Sequence, residues 1–139
     1  MKRYVIGLAS LLLVATGSAA SAETMSFAQA GALIARSCGP SIERFCSNVN
    51  IGTGEMMTCL RRNQNRVPAN CFADMSRAQA GVDARLAAQA STFRVCEAST
   101  RQLCAGVQPG DAYILNCLIR SQRVVRPACR QALIDSGWK

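Results

Sequence analysis

The chain contains two copies of one cysteine pattern. Its 139 residues include eight cysteines, which fall into two groups of four with the same spacings of 8, 13 and 12 residues. The two groups lie 58 positions apart and are Cys38, Cys46, Cys59 and Cys71, followed by Cys96, Cys104, Cys117 and Cys129. Self-similarity at a fixed period is the signature of a repeat architecture. The sequence therefore predicts two tandem cysteine-rich repeats.

The N-terminus has the features of a secretory signal. Lys2 and Arg3 precede an apolar stretch over residues 5–15, and Ala-Ser-Ala at 20–22 is typical of a cleavage site. These features predict a signal peptide over residues 1–22. The alternative is an uncleaved membrane anchor, but the stretch is shorter than the roughly 20 residues of a transmembrane helix. We expect a periplasmic or secreted protein with no transmembrane span after cleavage.

An exported chain can keep its cysteines paired, because the compartments outside the cytoplasm are oxidising. All eight cysteines follow the signal, so we expect four disulfides. The sequence also predicts a basic mature protein, since the formal net charge is +8 with 16 basic and eight acidic residues, and only two of the basic residues lie in the signal. Each repeat is about 58 residues long, and domains of this size need bridges to supplement a small core.

The apolar residues follow a helical period. Ile42, Phe45, Cys46 and Val49 lie on one helical face, and a turn around Gly52 or Gly110 leads to a second apolar face in each repeat. Pro68 and Pro127 are expected to open a third helix, where the missing N–H is least harmful. Gly39-Pro40 is expected to kink or break the first helix.

An alanine-rich segment over residues 73–90 joins the two repeats. It contains no proline and only Gly81 interrupts it, so it predicts a continuous or once-broken connecting helix. Leu86 and Phe93 are expected to dock this helix on the repeats. The predicted fold class is all-α, with two tandem disulfide-stapled helical repeats joined by an Ala-rich helix. The predicted domains are the signal peptide, repeat 1 with an N-terminal helix over residues 23–80, and repeat 2 over residues 81–139.

Three symmetric pairings are possible if the bridges stay within repeats. Cys38 and Cys46 on one helix would lie about 12 Å apart along its axis, too far for a bridge. A nested and a crossed pairing remain. An antiparallel hairpin favours the nested one, because two cysteines flank the glycine turn and two lie at the far end. The favoured pairs are 38–71, 46–59, 96–129 and 104–117, and the crossed pairing stays open.

The sequence lacks several kinds of catalytic chemistry. It contains no histidine, which excludes Ser-His-Asp and Cys-His catalysis. It has no Cys-x-x-Cys for thiol–disulfide exchange, and its cysteine spacing lacks the short pair that structural zinc prefers. We therefore expect no enzyme activity, no metal and no cofactor. A thiol enzyme remains a rival interpretation if the cysteines are reduced.

Arginine is the remaining functional candidate. Three arginines lie near the second helix of each repeat, and they are Arg61, Arg62, Arg66, Arg120, Arg123 and Arg126. Guanidinium groups suit carboxylate and phosphate, so these residues are candidates for anion binding. The structural alternative is that their stems cover the core while their charged ends stay in water.

The pattern resembles the cysteine-rich repeat family of the Golgi sialoglycoprotein also described as the cysteine-rich fibroblast growth factor receptor. The resemblance rests on Phe45-Cys46 and Leu103-Cys104, on the glycine turn, on Cys59-Leu60 and Cys117-Leu118, and on the closing Cys71 and Cys129, and it spans about residues 36–133. It implies an exported or lumenal, disulfide-bonded, non-enzymatic module. It does not carry over a ligand, because the large animal members have many copies and a membrane span, whereas this chain has two copies.

The sequence thus favours a binding or envelope-associated interaction module with an unidentified protein or an anionic surface as partner. The alternative is a cationic protein that binds membranes, anionic lipid or polysaccharide. Nucleic acid is not expected as a partner, because the exported chain lacks aromatic residues interleaved with its arginines.

Overall fold

A computed structural model of the chain describes residues 23–50 and 54–138. The expected signal peptide and the turn at Gly52 lie outside the described residues. The described part is helical and contains no strand, which confirms the all-α prediction. Its α-helices are α1 (Phe27–Phe45), α2 (Glu55–Arg62), α3 (Ala69–Leu103), α4 (Tyr113–Arg120) and α5 (Pro127–Asp135), with a short 3-10 helix at Gln64–Arg66.

Helix α1 begins at a capping box and continues through a proline. The Ser26 hydroxyl accepts from the Gln29 backbone N–H, and the Gln29 side chain accepts from the Ser26 N–H. The expected break at Gly39-Pro40 is wrong, since the helix extends to Phe45 with Pro40 inside it. An internal proline costs about 3 kcal/mol. The buried Cys38, bridged to Cys71 of α3, holds this part of α1 in place.

Helix α3 is a single helix of 35 residues, which corresponds to the continuous form of the predicted connector. It contains the third helix of repeat 1, the connector and the first helix of repeat 2, so the boundary expected between residues 80 and 81 falls inside it. Gly81 does not interrupt α3. It contacts the N-terminal segment instead: Met25 N–H donates to the Gly81 carbonyl at 2.9 Å, and a Cβ at Gly81 would lie 2.8 Å from Met25 Cγ.

Both prolines open helices, as the sequence predicts. Pro68 is the N-cap of α3 and Pro127 is the first residue of α5. Leu86, one of the two residues expected to dock the connector, is 45% exposed and lines a depression together with residues of α1 and α2. Phe93 is also half exposed, but its ring centre lies 5.9 Å from that of Trp138.

Each repeat has its own small core, and the two cores correspond at the 58-residue offset. Around its cysteines, the core of repeat 1 contains the buried Leu60 and Val67, and that of repeat 2 contains the buried Leu118 and Val125. Three helices contribute side chains to each core. Two nearly identical cores show that the cysteine duplication is a structural duplication.

Repeat 2 ends in a turn that returns the chain to its core. Gly137 has a φ of 75°, the Trp138 N–H donates to the Leu133 carbonyl, and the Gly137 N–H donates to the Ile134 carbonyl. This pattern is a Schellman motif, which ends a helix with a left-handed glycine. It places Trp138 against the core of repeat 2.

Candidate functional site

The disulfides define the rigid part of the molecule. All eight cysteines are bridged, and the bridges are nested within each repeat: 38–71, 46–59, 96–129 and 104–117. The Cα atoms of the outer pairs lie 4.9 and 4.6 Å apart, and those of the inner pairs 6.0 and 6.1 Å apart. The distances repeat between the two halves as the sequence does. No thiol is left for nucleophilic or exchange chemistry.

The six candidate arginines all have exposed side chains. Two ion pairs are found among the described residues, Arg77 with Asp74 and Arg101 with Glu97, and none of the six takes part in them. In repeat 1 the three arginines lie at the end of α2 and in the turn that follows it, and in repeat 2 they lie at the end of α4 and in the turn that leads to α5. The two turns occupy matching places on the two cores, but their surroundings differ.

In repeat 1 the arginine of the turn is held by an aromatic ring. The Arg66 guanidinium carbon lies 4.4 Å from the centre of the Phe45 ring, and Arg44 lies 5.5 Å from the same centre. Arg66 also donates to the Asn63 side-chain oxygen. Cation–π contacts of this kind stabilise the local structure, so Arg66 fits the structural alternative better than the anion-binding one.

In repeat 2 a fourth arginine, which the comparison of the two repeats missed, lies on α5 and bonds back to the turn. Arg130 donates from Nε to the Gln122 carbonyl and from Nη2 to the Arg123 carbonyl, both at 3.0 Å. These bonds use two of the five N–H groups of a guanidinium. A search for arginines matched between the repeats could not find Arg130, because its counterpart 58 positions earlier is Phe72. We call residues 120–130, with Arg120, Arg123, Arg126 and Arg130, the arginine turn.

The arginine turn lies in a segment without acidic residues. Residues 112–134 contain four arginines and no Asp or Glu, whereas the matching residues 54–76 contain three arginines and two acids, Glu55 and Asp74. Charges within about 10 Å of one another interact at ordinary ionic strength. The segment of repeat 2 therefore has a formal charge of +4, and the matching segment of repeat 1 has a formal charge of +1.

Two exposed apolar side chains accompany the arginine turn. Val124, at the tip of the turn, is 71% exposed, and Ile134, one helical turn after Arg130 on α5, is 39% exposed. A shallow depression lined by Gln122, Arg123, Arg130 and Ile134 joins the two elements. The depression places Ile134 beside Arg123 and Arg130, and Val124 is exposed in the turn next to Arg123.

The comparisons with known proteins agree with this architecture. Residues 31–67 match the model of the family described as Cysteine rich repeat. This segment is a cysteine-rich repeat. No curated protein and no solved structure matches the chain. Repeat 2 has the same helix order and bridge pattern as repeat 1, which contains the matched residues 31–67.

The first cysteine-rich repeat carries an open groove of about 780 Å³. Its walls are mostly apolar side chains of α1, α2 and α3, among them Phe27, Ile34, Met57, Met75 and Leu86, with polar groups of α3 at one side, Ser76, Gln79 and Asp83. The corresponding surface of the second repeat is covered by the chain end, where Trp138 packs against the core. The groove is therefore particular to repeat 1.

The described residues contain no group of three or more His, Cys, Asp or Glu side chains that could hold a metal ion. Within the same ranges, 23–50 and 54–138, no helix combines the length and the apolar character required to cross a bilayer. The chemistry available at the surface of the two repeats is hydrogen bonding, charge and apolar contact.

Proposed function

We propose that the protein is an exported, non-enzymatic interaction module of the periplasm or the extracellular space. The proposal rests on the pairing of every cysteine in a disulfide, because such bridges persist where the environment is oxidising. The signal features of residues 1–22 support the same compartment. A chain without histidine or free thiol lacks the usual nucleophile and base pairs, which favours binding over catalysis.

The compartment and the redox state can be tested on native material. Protein purified from the periplasmic fraction or the medium is expected to begin at Glu23 and to give no free thiol when titrated after denaturation. Cross-linking in intact cells is expected to produce an adduct that is lost when the bridges are removed. A reduced chain in the cytoplasmic fraction would contradict the proposal, and turnover that requires a thiol would support the rival enzyme.

The second candidate function is binding of anionic lipid or polysaccharide. The arginine turn favours it, since four arginines lie within 11 residues that contain no acid. Guanidinium groups bind phosphate and carboxylate in a planar, two-point geometry. Binding of this kind weakens as salt screens the charges, so retention on an anionic matrix is expected to fall steeply between low and high salt. Retention that does not depend on salt would contradict this function.

A further inference from the structure

We infer that the arginine turn of repeat 2 docks the protein on the surface of an anionic phospholipid bilayer. This inference rests on the anion-binding function proposed above and assigns that function to one site and one partner. Arg120, Arg123, Arg126 and Arg130 would contact the lipid phosphates, and Val124 would enter the interface between the headgroups and the acyl chains.

The charge of the turn is suited to lipid phosphates. Arginines near an anionic bilayer contribute about 1 kcal/mol each to binding, and the arginine turn has four of them with no acid between residues 112 and 134. Among the described residues, neither ion pair involves the turn. Within the described ranges no side-chain hydrogen bond of Arg120, Arg123 or Arg126 is found, and Arg130 keeps three of its five N–H groups for a partner.

The turn is also fixed in shape before it meets a partner. Val125 is buried in the core of repeat 2, and the backbone N–H of Arg126 donates to Ser99 Oγ at 3.2 Å. Arg130 holds the Gln122 and Arg123 carbonyls from the other side. A surface that is already ordered loses little conformational entropy on binding.

The apolar tip favours a bilayer over a soluble polyanion. Val124 is 71% exposed between Arg123 and the buried Val125, and Ile134 on α5 lines the depression beside Arg123 and Arg130. A polysaccharide gains nothing from an exposed valine, whereas the interface of a bilayer buries apolar side chains and binds the basic residues around them. The combination is that of a peripheral membrane contact.

Repeat 1 supplies an internal comparison, because the same scaffold lacks these features. At the offset of 58, Arg123 corresponds to Asn65, Val124 to Arg66 and Ile134 to Ser76. Arg66 lies over the Phe45 ring at 4.4 Å rather than at an apolar tip. The membrane contact is therefore expected at repeat 2 alone.

The test is co-sedimentation of the oxidised protein with vesicles of phosphatidylglycerol and phosphatidylcholine at equal amounts, with pure phosphatidylcholine vesicles as reference. The double variant Arg120→Gln/Arg123→Asn is expected to lose about thirtyfold in partition coefficient, since about 1 kcal/mol is lost per arginine. The matched control Arg61→Gln/Arg62→Gln removes the same charge from repeat 1 and is expected to lose less than about threefold.

A third variant separates the apolar contact from the charge. Val124→Asn leaves the net charge unchanged, and it is expected to lower the partition coefficient about fivefold because the burial of apolar surface is lost. Circular dichroism and the absence of free thiols verify that each variant is folded. An equal loss in the two arginine variants would overturn the site assignment. A protein with unchanged binding after Val124→Asn would overturn the insertion of the tip.

Polygalacturonate serves as the soluble polyanion in a parallel binding experiment. Binding to polygalacturonate without binding to the anionic vesicles would overturn the membrane inference and leave anion binding in place. Binding to neither would overturn both. The inference is supported if vesicle binding is lost at high salt and is also lost in the variant Arg120→Gln/Arg123→Asn.

Discussion

The two repeats share a core but differ in how their third helix ends. In repeat 2 the third helix is α5, which stops at Asp135 so that Gly137 can turn and Trp138 can cover the core. In repeat 1 the third helix is the start of α3 and continues into repeat 2, so the corresponding surface stays open as the groove. The two bridges and two buried apolar positions, Leu60 and Val67 in repeat 1, are common to both repeats. The course of the chain after the third helix determines which surface of each repeat is exposed.

The difference extends to the residues beneath the two surfaces. Leu133 is fully buried, whereas its counterpart Met75 is only partly buried. In repeat 2, Thr92 and Ser136 are buried and joined by a hydrogen bond of 2.6 Å. The closed repeat can bury this polar pair because one hydroxyl donates to the other, and the second hydroxyl donates to a carbonyl of its own helix, that of Ala88 or Ala132.

The outer bridges give the largest expected effect, and they test what the repeats share. Replacing Cys38 and Cys71 by Ala is expected to lower the free energy of unfolding by about 4 kcal/mol, because a loop of some 34 residues is no longer closed in the unfolded chain. The pair Cys96 and Cys129 closes a loop of the same length. Urea unfolding followed by circular dichroism measures both, and losses that differ by more than about 2 kcal/mol would break the equivalence of the cores.

The next effect sharpens the contrast between the closed and the open repeat. Leu133→Ala is expected to destabilise repeat 2 by about 3 kcal/mol, since it leaves a cavity in a sealed core. Met75→Ala is expected to destabilise repeat 1 by only about 1 kcal/mol, because solvent and neighbouring groove residues can fill the space. Hydrogen exchange of α5 and of the first turns of α3 reports on each repeat separately. Equal losses would mean that the groove is closed in solution.

A tryptophan after the third helix is expected to stabilise repeat 2, where it is Trp138, but not repeat 1. Trp138→Ala is expected to lower the stability of repeat 2 by about 2 kcal/mol, because the ring is partly buried against the core. The control Ala80→Trp places a tryptophan at the matching position of repeat 1, which is exposed on a continuing helix, and is expected to change stability by less than about 0.5 kcal/mol. A stabilising effect of Ala80→Trp would contradict this expectation and would show that a tryptophan at position 80 packs against the groove of repeat 1.

The smallest effect concerns the residue before the second helix. Both positions are left-handed, with Gly54 at φ 78° and Ala112 at φ 61°. Gly54→Ala is expected to destabilise repeat 1 by about 1 kcal/mol through backbone strain. A steric clash is not the cause, because no atom lies within 4 Å of a Cβ built there. Ala112→Gly is expected to stabilise repeat 2 by up to about 1 kcal/mol for the same reason. Thermal unfolding measures both, and changes of the same sign would refute this account of the two turns.

The sequence was sufficient for the features that depend on spacing. The 8-13-12 pattern and the helical period of residues such as Ile42 and Phe45 led to the all-α fold and the two repeats, because a bridge and an apolar face are local constraints. The break expected at Pro40 does not occur, since helix propensity alone does not include the tertiary contacts that stabilise α1. Trp138 and Arg130 gave no recognisable signal, because their roles arise from the turn at Gly137 and from carbonyls eight and seven residues away.

Peptide mapping of the unreduced native protein after tryptic digestion tests the central claim, a nested bridge pattern present twice. Cleavage at the arginines leaves Cys46 and Cys59 on one peptide, 45–61, and Cys38 and Cys71 on two others, 37–44 and 67–77. The account predicts that 37–44 is linked to 67–77 while 45–61 carries an internal bridge, and that repeat 2 gives the same result. A species joining all three peptides, or any cysteine that reacts with a thiol reagent, would contradict it.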